Sequence, residues 1–434
     1  MTFGRMMKLV AGLVGTRFAG AFLGLATQII LTHLFVPEEV GAILLAMSIA
    51  GFASLFATAG YPALALISLP RYFRLGRSRI IAGFHAAALS DSTVLILLTT
   101  LAALAAWYFL PLDRAMRAAV AFGFLTTPSS SLIRYDSSIA NSQRRFALSY
   151  VPDFIYRPGL LLLGILIAML MGKELSVYEV LWLFVLVNIG VAIGQAIIIG
   201  KDGILPRYWP EARRRLTRVL RTRAAALFIV AAVATSFSDI VTLVAGLLLP
   251  AADVALVGVA VRLAAIASFV IQAAQQFVLP DLSAALAHRD EAQANGLLYR
   301  MNILTLAVIA AGLVGTAILG KFVLGIFGEE YRAAYVILLL FMAGQAVRAV
   351  SGMNQHLLSM AGYQVRTAGA CLTAFVILVC AALLLTRAFG LTGIGLAVIL
   401  AELAWLLALA AQAHHLVGRR GDIFWLMTRR SGSG

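Results

Sequence analysis

Lys201 to Arg223 reads KDGILPRYWPEARRRLTRVLRTR and carries eight basic residues (Lys201, Arg207, Arg213, Arg214, Arg215, Arg218, Arg221, Arg223) against two acids, Asp202 and Glu211. Some two hundred overwhelmingly apolar residues lie on each side of it, so it divides the chain into halves. Over 434 positions the chain is 62% hydrophobic and 12% charged, with a mean hydropathy of +0.96. Soluble globular domains do not have that composition. A bilayer core of about 30 Å takes roughly 20 apolar residues per helix, and runs of that length recur from end to end. The chain therefore reads as an all-α polytopic membrane protein. Its net charge of +15 is not a nucleic-acid footprint, because the basic residues sit in short connectors between apolar runs.

Apolar runs and polar breaks predict twelve helices, at about 8–35, 40–69, 80–111, 117–140, 150–171, 177–199, 224–248, 254–280, 301–327, 333–360, 368–387 and 391–417. The first resembles a signal peptide, with Arg5 and Lys8 ahead of an apolar run. Arg17 interrupts that run and the pattern continues to Phe35, so an uncleaved helix is expected. With the N-terminus inside, connectors after even-numbered helices are cytoplasmic. Those connectors and the two ends then hold 23 Lys and Arg residues, against 6 on the other side (Arg114, Arg117, Lys173, Lys321, Arg332, Arg387). The positive-inside rule thus places both termini and the basic stretch at the cytoplasm. PEEVGAILLAMSIAGFAS (Pro37–Ser54) resembles PAADVALVGVAVRLAAIAS (Pro250–Ser268) near half the chain length away. Both halves begin at the cytoplasm, so the repeat is parallel: two six-helix lobes, 1–200 and 224–417, around a central cavity, with 201–223 between them and 418–434 as a cytoplasmic tail.

Motifs for catalysis are scarce. GTAILGK (Gly315–Lys321) begins like a phosphate-binding loop, but Phe322 stands where Ser or Thr is needed and the run lies in an apolar helix. His33, His85, His288, His356, His414 and His415 are scattered, with no zinc-ligand spacing, and Cys371 and Cys380 sit nine positions apart on one predicted helix, too far to bridge. No enzyme, metal site or cofactor is expected. The informative residues are five arginines within the spans: Arg17, Arg134, Arg157, Arg262 and Arg348. A charge at a helix centre costs about 2.5–3.5 kcal/mol on insertion scales, so each needs a partner or a wet cavity. Arg134 and Arg157, near helix ends, can also snorkel. At 100° per residue, Arg17, Gly20, Gly24 and Gln28 share a face, as do Arg262, Gln272 and Gln276, and Gln345, Arg348 and Gln355. Small-residue packing accounts for Gly20 and Gly24; glutamines repeated beside arginines point further, to an aqueous, substrate-binding cavity. The acids Asp91, Asp136, Asp239 and Glu402 either pair with these arginines or couple transport to H⁺ or Na⁺, with Asp239, Asp91 and Glu402 the coupling candidates. Pro128 within TTPSSSLIRYDSS (Thr126–Ser138) predicts a bend.

A cavity whose deep charges are mostly arginine attracts an anion, and guanidinium matches phosphate oxygens. An inside-negative membrane potential drives an anion outward by about 2.3 kcal/mol per charge per 100 mV, with no ATP site needed. The chain resembles the Wzx-type polysaccharide flippases of the multidrug/oligosaccharidyl-lipid/polysaccharide exporter superfamily. The resemblance lies in LTHLFVPEEVGAILLAMSIA (Leu31–Ala50), DIVTLVAGLLLPAADVALVGVAVRLA (Asp239–Ala264), VLPDLSAAL (Val278–Leu286), IFGEEYRAA (Ile326–Ala334) and GLTGIGLAVILAE (Gly390–Glu402). Val36 before Pro37 departs from the glycine of many relatives. The resemblance implies alternating access in a bacterial inner membrane and movement of a polyprenyl-pyrophosphate-linked oligosaccharide, an O-antigen (lipopolysaccharide) or exopolysaccharide unit, to the outer leaflet. Expected partners are that lipid-linked oligosaccharide, a polysaccharide polymerase and glycosyltransferases; the basic stretch adds anionic lipid of the inner leaflet. A drug/cation antiporter of the same superfamily would concentrate acids in the cavity. A membrane-embedded polymerase or ligase would need a large extracytoplasmic loop, and none is present in the predicted layout.

Overall fold

The computed structural model describes residues 3–109, 113–201, 220–225, 227–228, 237–288 and 290–431. All regular structure among them is helical: α1 (Phe3–Leu34), α2 (Pro37–Ala57), α3 (Tyr61–Arg74), α4 (Ser78–Phe109), α5 (Arg114–Ser142), α6 (Phe146–Val151), α7 (Arg157–Leu170), α8 (Val177–Lys201), α9 (Phe237–Leu248), α10 (Ala251–Ala287), α11 (Glu291–Gly325), α12 (Tyr335–Val350), α13 (Asn354–Met360), α14 (Gln364–Phe389), α15 (Leu391–Val417) and α16 (Ile423–Ser431). Among the described residues, ten helical segments are long and apolar enough to cross a membrane. Most of the basic stretch, including Arg207, Arg213, Arg214, Arg215 and Arg218, lies outside the described residues.

Several predicted spans are broken, each for a local reason. The predicted helix 40–69 is α2 and α3, separated at Thr58–Gly60 where Ala59 and Gly60 have φ of 49° and 78°. Pro62 follows at the start of α3, where its missing amide costs nothing. The Thr58 hydroxyl donates to the Ser54 and Leu55 carbonyls. Residues 333–360 divide into a 3₁₀ turn (Glu329–Ala334), α12 and α13, with Gly352 at φ 57° between the helices. A Cβ on Gly352 would fall 2.2 Å from the Gly421 carbonyl oxygen, so the close approach requires glycine. Pro128, by contrast, leaves α5 unbroken, while the neighbouring Thr126, Thr127 and Ser131 hydroxyls donate back to carbonyls one turn earlier.

The chain forms two compact units. One comprises residues 1–246 with 250–255, the other 247–249 with 256–434. In the first, α5 is packed by α2, α3, α4 and α8. Gly123 of α5 meets Ile49 of α2 so closely that a Cβ would overlap it. In the second, α15 packs against α12, α13 and α14, and α11 against α12. The segment predicted as a tail folds back onto this second unit. The Gly421 carbonyl accepts from Asn302 Nδ2 at 2.9 Å and from the Met353 amide at 3.3 Å, while the Gly421 amide donates to Asn354 Oδ1 at 2.6 Å. Asn354 Nδ2 donates to Asp422 Oδ2 at 3.1 Å, and Arg420 and the Trp425 amide also bond the fully buried Asp422 carboxylate. Arg419 pairs with Glu291 of α11.

Candidate functional site

Each unit holds its own group of intramembrane charges. In the first, Pro152 and Pro158 lack amide donors six residues apart, and the chain between α6 and α7 widens into a π turn, Pro152–Tyr156. Arg157 Nη1 donates across it to Asp153 Oδ1 at 2.5 Å, and Nη2 reaches Ser130 Oγ of α5 at 3.4 Å. Arg17 of α1 lies with its guanidinium carbon 5.8 Å from the Tyr150 ring centroid and 5.9 Å from that of Phe154. These two rings stack with centroids 6.0 Å apart, so one guanidinium faces two π systems. The approach of α1 depends on Gly20, where a Cβ would lie 2.4 Å from the Phe154 carbonyl oxygen. Arg134 Nη2 donates to the Gly51 carbonyl at 3.4 Å and interacts electrostatically with Asp153, Asp239 and Arg157. Asp239, in the first turn of α9, presses against the same glycine; a Cβ on Gly51 would be 2.6 Å from its Oδ2. Arg134 and Arg157 thus share Asp153, Arg134 also faces Asp239, and Arg17 lies over the rings of the same π turn. Gln28 on α1 is buried, and neither of its amide atoms has a hydrogen-bond partner among the described residues.

In the second unit, Gln345 and Arg348 lie on the predicted polar face of α12. Ser268 of α10 donates to Gln345 Oε1 at 2.9 Å. Arg348 forks onto Glu402 of α15, with Nη2 2.5 Å from Oε1 and Nε 3.1 and 3.2 Å from the two oxygens. The Arg348 guanidinium also faces Trp405, 5.2 Å from its ring centroid. Glu402 is 3% exposed, so this is a buried ion pair. Arg262 and Gln272 are half-buried on α10 and Gln355 half-buried on α13. The Gln276 side chain lies outside the described residues. Its neighbour Gln275 donates to the Gly352 carbonyl at 3.0 Å and meets His356 Nε2 at 3.4 Å.

Each coupling candidate therefore faces an arginine: Asp239 faces Arg134, Glu402 pairs with Arg348, and Asp91 pairs with Arg221. Neither the Arg134 acceptor at Gly51 nor Ser268 follows from residue spacing. Tyr150 and Phe154, four apart on one helical face, and Trp405, three after Glu402, were findable by spacing. Among the described residues no group of His, Cys, Asp or Glu could hold a metal. Chemically, these sites offer guanidinium donors, aromatic faces and amides, the means to bind an anion without a nucleophile.

No protein-family model matches the sequence, and no curated protein matches it significantly. Among solved structures, an inward-facing multidrug resistance MATE family transporter of the MOP superfamily matches with a TM-score of 0.74 and 13% identity over 95% of each chain. The lipid II flippase MurJ, in an inward closed conformation, matches with a TM-score of 0.74 and 14% identity over 96% of this chain and 95% of that one. The fold is that of these transporters, with twelve helices in two lobes.

Proposed function

We propose that the protein moves a polyprenyl-pyrophosphate-linked oligosaccharide, an O-antigen or exopolysaccharide repeat unit, from the inner to the outer leaflet of a bacterial inner membrane. The lobes joined by 201–223 alternate access to a central site, with both termini cytoplasmic. The observation that carries this reading is the gathering of Arg17, Arg134 and Arg157 at the π turn of the first unit, within a fold that a lipid II flippase shares. A pyrophosphate is the kind of group such a cluster binds. Gln28, Gln272, Gln276, Gln345 and Gln355 would hydrogen-bond sugar hydroxyls. Arg262 and Arg348 extend the anion path, and outward movement draws on the membrane potential or on H⁺ or Na⁺ exchange at Asp239, Asp91 or Glu402. The lipid-linked oligosaccharide would arrive from glycosyltransferases and leave to a polymerase.

The test is deletion of the gene in its native host with leaflet-specific detection of the lipid-linked oligosaccharide. Accumulation on the cytoplasmic leaflet, relieved by the wild-type chain but not by Arg17→Ala, is expected; normal distribution in the deletion strain would overturn the reading. The second reading, a drug/cation antiporter, is supported by the equal TM-score of the MATE structure. It predicts loss of cation efflux in the deletion strain with glycan export intact.

A further inference from the structure

Within the first unit, a cavity of about 440 Å³ opens between the α2–α3 break, α4 and the helical residues 220–225. That volume lies in the range of roughly 300–1,000 Å³ typical of ligand sites. Phe56, Val94, Leu95 and Phe228 form apolar walls, and one end is polar. There the Tyr61 hydroxyl donates to Asp91 Oδ2 at 2.8 Å, while Arg221 donates from Nε to Oδ2 at 2.8 Å and from Nη2 to Oδ1 at 2.5 Å. Arg221 Nη1 makes no hydrogen bond among the described residues, and the side chain is 58% exposed. Tyr61 and Arg221 together occupy the Asp91 carboxylate, so the open edge of this end is a guanidinium. Arg223 is exposed two residues on, and Arg213, Arg214, Arg215 and Arg218 precede it in the chain.

The other feature of the cavity is what it opens onto. Val94, one of its walls, begins a face of α4 that continues through Leu97, Leu98, Leu101 and Leu104, all more than half exposed. On a membrane-spanning helix this is the surface that lipid tails cover. The cavity is thus continuous with hydrocarbon at one end and basic at the other, near the chain's most cationic stretch. A hydrophobic cation would find no carboxylate free at that end, because Asp91 is already held by Arg221 and Tyr61, and would meet the guanidinium edge instead. We propose that the cavity is a binding site for one anionic phospholipid of the inner leaflet, an acyl chain lying along the wall that the touching Phe56 and Phe228 rings form and the headgroup phosphate on the free edge of Arg221.

The full-length protein, purified in mild detergent from membranes containing phosphatidylglycerol and phosphatidylethanolamine, tests this by native mass spectrometry. The wild type is expected to retain one phosphatidylglycerol in preference to phosphatidylethanolamine. Arg221→Gln should lower that preference about five-fold, the effect of one basic residue near an anionic headgroup. Val94→Trp, which intrudes on the cavity, should abolish retention, whereas Leu101→Trp on the same exposed face should not. Should Val94→Trp fail to fold, Ala225→Phe narrows the same cavity from the opposite wall and is expected to abolish retention too. Equal retention of both lipids by the wild type, unchanged retention in whichever cavity variant folds, or a bound polyprenyl phosphate in place of the phospholipid would overturn the assignment.

Discussion

Arg348 and Glu402 come from helices 54 positions apart and meet as a bidentate pair in a nearly dry setting. Removing one partner of such a pair strands the other charge, at a cost of about 3–5 kcal/mol. Arg348→Ala and Glu402→Ala are each expected to lower the thermal midpoint in detergent by several degrees, and Arg348→Met with Glu402→Leu together to recover most of it. A double variant no more stable than the singles would show that the pair's energetics are not what holds α12 to α15. Arg17 poses the opposite case. It lies over two stacked rings, so a planar guanidinium has a use there that a lysine ammonium lacks. Arg17→Lys is expected to keep the fold and slow glycan export about three- to tenfold, with Arg17→Ala slower still, since a cation over aromatic faces contributes about 0.5–2 kcal/mol. Export assayed in cells with matched protein levels checks both.

At the scale of elements, the π turn and the returning C-terminal strap carry the arrangement. Gly20 lets α1 lie on the π turn, and Gly20→Val would drive a side chain into the Phe154 carbonyl. The expected destabilisation is about 1–3 kcal/mol from overpacking, with disturbed access of Arg17 to its rings; thermal unfolding and export are the readouts. Asp422 is fully buried and accepts from Arg420, Asn354 and the Trp425 amide. Asp422→Ala is expected to leave these donors unmatched, at about 1–3 kcal/mol, and to expose α16 to proteolysis while the rest of the chain stays protected. Neither device was legible in the sequence. A π turn depends on how two prolines share one helix, and the strap on Gly421 meeting Asn302, 119 positions earlier. What was legible follows a period: the Gln345 and Arg348 face of α12. The break before Tyr61-Pro62 was not, because the apolar run reads through Thr58–Gly60 as one helix. Ion-pair partners have no period. Arg221 and Asp91 stand 130 positions apart, and the sequence could say only that intramembrane arginines need acids.

For the whole molecule, hydropathy found the spans because lipid-facing helices must be apolar, and the exception proves informative. α5 holds Pro128, several serines, Arg134 and Asp136, and is absent from the ten segments apolar enough to cross a membrane. It is enclosed by α2, α3, α4 and α8, so its polar groups face protein and need no hydrocarbon match. The helix count therefore rests on packing as well as composition, and so does orientation. If all twelve predicted helices span, the α3–α4 turn at Gly76 is cytoplasmic and the α7–α8 turn at Gly172 is outside. Both turns are exposed glycines at positive φ, φ 60° and 67°. In a background with Cys371 and Cys380 replaced by Ala, Gly76→Cys and Gly172→Cys can be labelled with a membrane-impermeant maleimide. Gly172→Cys is expected to react in right-side-out vesicles and Gly76→Cys in inverted ones, each at least tenfold faster than in the other preparation. The 23-to-6 bias of basic residues depends on α5 crossing, because without that crossing every later connector would change sides. Labelling of both cysteines from the same side would therefore remove α5 from the membrane and, with it, the cytoplasmic position of the basic stretch.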